Sequence, residues 1–126
     1  MKPLQVIWLG LMGGLVAYAC VAVALVTVGG LDIGGLPPIV VIVTRVLALV
    51  IMGLGLWMRR ALLAQIPRDL PAGERETRSQ TVTLASFTLI EGGGILMITT
   101  SMIVGAPAWI LVGAGAAVLL MVMARP

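Results

Sequence analysis

Histidine is absent from this chain, cysteine occurs once, and charged residues make up only 10% of it. Each shortage excludes a class of chemistry. Without histidine there is no Ser-His-Asp or Cys-His machinery and no histidine-ligated haem. With Cys20 alone there is no disulfide framework, no ordinary zinc site and no iron-sulfur ligation. The expectation is a protein that is not an enzyme and that holds no cofactor and no metal. The charge deficit excludes something broader. A typical soluble domain is about 25% charged, whereas here 60% of the residues are hydrophobic. Too few polar side chains are present to cover a soluble fold, so lipid is the expected covering.

The formal charge is +3. The basic residues are few, lack interleaved aromatics and stand at the ends of apolar runs, which is not the pattern of a nucleic-acid binder. Their positions divide the chain. From Pro3 to Leu31 nothing is charged, and a first span is expected at about residues 4–28. At about 1.5 Å per residue it measures near 37 Å, enough for a tilted crossing. Its apolar run outlasts the hydrophobic core of a cleaved signal peptide, so it is read as retained. A Gly- and Pro-rich connection follows, and Pro38 opens a second span that continues to Met58, before Arg59 and Arg60.

Residues 59–80 form the one polar stretch, broken by Pro67, Pro71 and Gly73; a third span is expected at about 81–104 and a fourth at about 108–123. The fold expected is therefore all-α, a single integral membrane four-helix bundle. Orientation follows from lysine and arginine. Arg59, Arg60, Arg68, Arg75 and Arg78 lie between spans two and three, and the connections after spans one and three carry no basic residue. The arginine loop is expected on the cytoplasmic side. Four crossings place both termini there too, where Lys2 and Arg125 agree.

Two charges fall inside spans, Arg45 in the second and Glu91 in the third. Counted from Arg59 and Arg78, each lies about 20 Å from the cytoplasmic surface. A lone charge in hydrocarbon costs about 3 kcal/mol or more. An interhelical Arg45–Glu91 pair is one expectation. The other is that Arg45 snorkels outward, because only seven residues, about 10 Å, separate it from Pro38. Glu91 has no such escape, and without a partner it is expected to rest in its neutral form. Thr88, one turn before it, can donate a hydrogen bond to it, although threonines in membrane helices commonly bond their own backbone.

Gly92, Gly93 and Gly94 follow Glu91 directly. They are expected to let another helix approach closely, with a loosened backbone beside an ion site as the alternative. On the first span Gly10, Gly13, Ala17, Cys20 and Ala24 make a stripe of small residues, and Gly10 and Gly14 form a small-xxx-small pair. Packing is the expected use, against a neighbour in this chain or in another. Cys20 is expected to act there as a small packing residue. Trp8, Trp57 and Trp109 stand near span ends, as interfacial anchors do.

The stretch Ala85–Leu96, read as A-x5-E-G-G-G-I-L, resembles the carboxylate-bearing helix of ATP synthase rotor-ring subunits over about a dozen residues. That resemblance implies an ion-carrying carboxylate, which maps to Glu91 alone. The long polar loop and the first span, which lacks a dense glycine repeat, depart from those subunits. The four-span layout with a midmembrane glutamate also resembles small uncharacterised bacterial inner-membrane proteins. The leading functional expectation is an accessory or structural subunit of a larger membrane complex or homo-oligomer, partnered by lipid and by other membrane subunits or copies of itself. The second is proton or cation movement through Glu91.

Overall fold

The computed structural model describes residues 3–30 and 36–124, so Lys2 and Arg125 lie outside the described residues. Four helices run in sequence: α1 (Pro3–Thr27), α2 (Pro38–Ala64), α3 (Ala72–Ile103) and α4 (Pro107–Met123). The protein is an all-α four-helix bundle. α1, α2 and α3 are long and apolar enough to cross a membrane. α4 is shorter, 17 residues, but carries no charge along its length. Two helices run beyond the spans expected from the apolar runs. α2 continues past Arg59 and Arg60 to Ala64, and α3 begins at Ala72 rather than near Thr81. The arginines end the apolar run, not the helix; arginine is a good helix former, and a helix needs apolar residues only where lipid surrounds it.

The α3–α4 turn shows how local chemistry sets the topology. Gly105 has φ +67°, a left-handed conformation that costs a residue with a Cβ about 1–2 kcal/mol. Its N–H donates to the Met102 carbonyl, and the Ala106 N–H reaches back to Ser101 at 2.8 Å. This hydrogen-bond pair closes a Schellman motif. Pro107 then starts α4, where its missing N–H costs nothing.

α3 touches all three other helices, α4 also packs on α1, and α1 and α2 do not meet. The Trp8 Nε1–H donates to the Met121 carbonyl at 2.8 Å, which sets α1 and α4 antiparallel and brings both ends of the described chain to one end of the bundle. The 65–71 connection lies at that same end, because α2 finishes and α3 starts there.

The distribution of polarity is the reverse of that in a water-soluble bundle. Large apolar side chains such as Val6, Ile39, Val46 and Leu111 are exposed, while Thr83, Ser86, Thr100 and Ser101 of α3 are buried. Three of those hydroxyls bond their own helix: Thr83 to the Ser79 carbonyl, Ser86 to Thr83 and Thr100 to Leu96. A polar group so satisfied can be buried at little cost. The most polar of the spans is therefore the central one, shielded by its neighbours.

Candidate membrane-embedded site

Glycines bring the helices close enough for backbone to meet backbone. A Cβ on Gly93 would stand 2.5 Å from Met52 Cγ and 2.7 Å from the Ala48 carbonyl oxygen, and one on Gly55 would be 3.0 Å from the Ser86 carbonyl oxygen. Gly94 faces the other way, toward Ala117 Cβ and Leu15, and Gly113 of α4 receives the side chain of Met97. Successive helical residues are about 100° apart, so Gly93 and Gly94 open α3 to two different neighbours. Gly92 has open space around it. The glycine run thus serves close packing at two of its three positions.

These contacts also fix the axial register of α2 against α3. Gly93 lies beside Ala48 and Met52. One turn further along the antiparallel pair, Arg45 stands level with Met97. Glu91 is six residues before Met97, so it lies about 9 Å from that level along the axis. The estimate of one common depth took Arg78 as a surface marker, but α3 begins at Ala72 and Arg78 belongs to an exposed stretch of helix beyond the apolar part. The structure does not bring Arg45 and Glu91 together, and among the described residues no ion pair joins them.

Arg45 turns instead to Trp109, with its guanidinium carbon 4.3 Å from the indole ring centroid. A cation over the face of an indole is attracted by the ring quadrupole, by about 0.5–2 kcal/mol depending on solvation. Trp109 is the third residue of α4 and Arg45 the eighth of α2, both at the bundle end away from the arginine loop. This is the outward-reaching alternative with an added feature: the side chain ends on a ring. Trp109 was read only as an anchor. The signal available in the sequence was that Arg45 and Trp109 each follow a helix-opening proline at the same end.

Glu91 is partly buried midway along α3. Thr88 does not serve it, since its hydroxyl donates to the Leu84 carbonyl at 3.0 Å. A polar contact that sequence reasoning missed lies about 12 Å further along α3, between the Tyr18 hydroxyl of α1 and Thr99 Oγ1 of α3, 2.6 Å apart.

The small stripe on α1 lies on the outer side of the helix, with Cys20 and Ala24 at its edge lining an apolar groove beside Leu111, Ala114 and Gly115 of α4. α1 buries Leu15, Ala19 and Ala22, and on a 3.6-residue helix the opposite side is that of Gly10, Gly13, Ala17, Cys20 and Ala24. All five are exposed, as is Gly14, and a Cβ placed on Gly10, Gly13 or Gly14 would meet nothing within 4 Å. Cys20, expected as a packing residue, is a free thiol on this outer face. Comparison with protein-family models, with curated proteins and with solved structures finds no match for this chain.

Proposed function

We propose that this chain is a non-enzymatic, multi-pass protein of the bacterial inner (plasma) membrane, acting as an accessory or structural subunit of a larger membrane complex or of a homo-oligomer. The observation that carries this is the uncovered small-residue face of α1. Between helices in lipid there is no hydrophobic driving force, and association depends on close van der Waals contact, which small residues permit. A helix meant only to face acyl chains has no need of glycine at positions 10, 13 and 14, where each weakens the helix and offers lipid little surface. The orientation belongs to the same proposal: the bundle end that holds the arginine-rich connection and both chain ends faces the cytoplasm.

Cys20 makes the reading testable without introducing a probe. In a homo-oligomer that pairs through this face, mild oxidation of native membranes yields a disulfide-linked dimer, and Cys20→Ser abolishes it. Gly13→Leu with Ala17→Leu pushes the helices apart and is expected to reduce the cross-linked fraction about tenfold, the equivalent of about 1.4 kcal/mol. In a mixed complex the same double variant detaches the partner on gentle solubilisation. Native mass spectrometry that found wild-type monomer alone, with no cross-link in membranes, would reject both forms.

A second reading, proton or cation movement, is favoured by one observation: Glu91 sits partly buried in mid-bundle while the nearest intramembrane cation is engaged with Trp109. It predicts that a hydrophobic carbodiimide labels Glu91 more slowly as pH rises, and that Glu91→Gln stops ion flux in liposomes. Unchanged flux in that variant would exclude it.

A further inference from the structure

Because α1 and α2 do not meet, a strip of α3 between them stays uncovered. Arg78, Thr81, Ala85, Thr88 and Gly92 follow one another at alternating spacings of three and four, which keeps them on one side of the helix, and all five are exposed. The part of this strip within the apolar span offers an acyl chain a smooth bed: a Cβ on Gly92 would meet nothing within 4 Å, and the Thr88 hydroxyl is spent on its own backbone. At the arginine-loop end the same strip runs into a cleft of about 350 Å³ between α2 and α3, lined by Leu62, Gln65, Thr77, Arg78, Thr81 and Val82 among others. Arg78 precedes Val82, the first apolar residue of the span, by four positions. That places it about 6 Å outside the hydrocarbon edge, within a headgroup layer about 5–7 Å deep.

The polar groups of this cleft are unevenly committed. The Thr77 and Thr81 hydroxyls donate to the Gly73 and Thr77 carbonyls of their own helix. Arg78 has no hydrogen bond or ion pair among the described residues, and neither has Glu74, one turn further toward water, which lines an adjoining cleft with Gly73, Thr77 and Arg78. We propose that this side of α3 binds one zwitterionic phospholipid with a primary ammonium, such as phosphatidylethanolamine, its phosphate on Arg78, its ammonium on Glu74 and one acyl chain laid along Ala85 and Gly92. The order of charge along α3, cation and then carboxylate toward water, repeats the order of phosphate and ammonium along the headgroup. Guanidinium donors match phosphate oxygens in a planar fork. Glu74 selects among phosphodiesters: a primary ammonium donates to it, a glycerol headgroup leaves the lipid's negative charge facing it, and a choline offers no N–H. The site requires only that the bundle lie in lipid, so it stands or falls separately from the subunit reading.

The test uses the full chain reconstituted into vesicles of equal phosphatidylethanolamine, phosphatidylglycerol and phosphatidylcholine, re-extracted gently and weighed by native mass spectrometry. Phosphatidylethanolamine is expected to be retained about tenfold over phosphatidylcholine, as one charge-assisted hydrogen-bond set allows. Arg78→Gln is expected to lose most of that retention, whereas Arg60→Gln, equally exposed but absent from this cleft, keeps it. Glu74→Gln is expected to erase the preference over both other lipids while leaving a lipid bound. Ala85→Trp, which obstructs the acyl bed without touching either charge, is expected to lower retention of all three lipids together and so separates a seated lipid from simple charge pairing. Arg78, Glu74 and Ala85 are all exposed, so each variant is expected to keep the helical circular dichroism of the wild type. Equal retention of the three lipids, a preference for phosphatidylglycerol in the wild type, or equal losses in Arg78→Gln and Arg60→Gln would overturn the proposal.

Discussion

Gly93→Leu is expected to separate α2 from α3 and cost about 3 kcal/mol or more, with loss of the folded bundle in mild detergent. Even a methyl group at this position would press on the Ala48 carbonyl oxygen at 2.7 Å and the Met52 amide nitrogen at 3.2 Å. Both are backbone atoms, and a rotamer change cannot move them. Overpacking a close core costs about 1–3 kcal/mol even when side chains can give way, so the penalty here belongs at or above that range. The neighbouring glycines calibrate the argument. At Gly94 the first obstacles are the Ala117 Cβ at 2.8 Å, which no rotamer change moves either, and a Leu15 methyl at 3.2 Å, which can yield; with one fixed obstacle against two, Gly94→Ala should be destabilising but less so than Gly93→Ala. Gly92→Ala meets nothing within 4 Å and is expected to be neutral or slightly stabilising, since alanine is the better helix former. Thermal unfolding of the three alanine variants in detergent, followed by circular dichroism, gives the order of stability 92, 94, 93. Equal losses at all three would mean that the run is needed for backbone looseness rather than for helix approach.

That gradient marks what could be read in advance and what could not. The four helices, and the two ends of the described chain sharing one bundle end, follow from local facts: uninterrupted apolar runs, helix-opening Pro38 and Pro107, and Gly105 where the chain must turn left-handed. The functional distinction among three identical neighbours does not, because which glycine meets backbone depends on the rotational phase of α3 against α2. The stripe on α1 shows the same division. Its spacing was legible, but whether it faced inward depended on which side Leu15, Ala19 and Ala22 would bury. The depth of Glu91 relative to Arg45 failed for a related reason: α3 continues as helix well beyond the membrane-length part, so Arg78 was a poor ruler. A helix shows in its sequence where it is apolar more plainly than where it stops.

The Arg45–Trp109 contact makes the second large prediction, and it separates two accounts of one arginine. Trp109→Ala is expected to destabilise the bundle by about 2 kcal/mol, since it removes both a large apolar surface and the ring that receives the guanidinium at 4.3 Å. Arg45 Nε is buried without a hydrogen-bond partner among the described residues, so the ring is a principal compensation for the charge at that depth. In a double-mutant cycle, Arg45→Ala combined with Trp109→Ala should therefore cost less than the sum of the two, with a coupling of about 0.5–2 kcal/mol. Arg45→Ala combined with Glu91→Gln should add within about 0.5 kcal/mol, because the two groups are axially displaced and share no partner. Trp109→Phe provides the control: phenylalanine retains a ring face of weaker quadrupole, so it should recover part of the coupling, whereas leucine of similar apolarity should recover none. If the Glu91 cycle proved the coupled one and the Trp109 cycle the additive one, Arg45 would be pointing into the bundle and the axial register derived from Gly55 and Gly93 would have to be wrong.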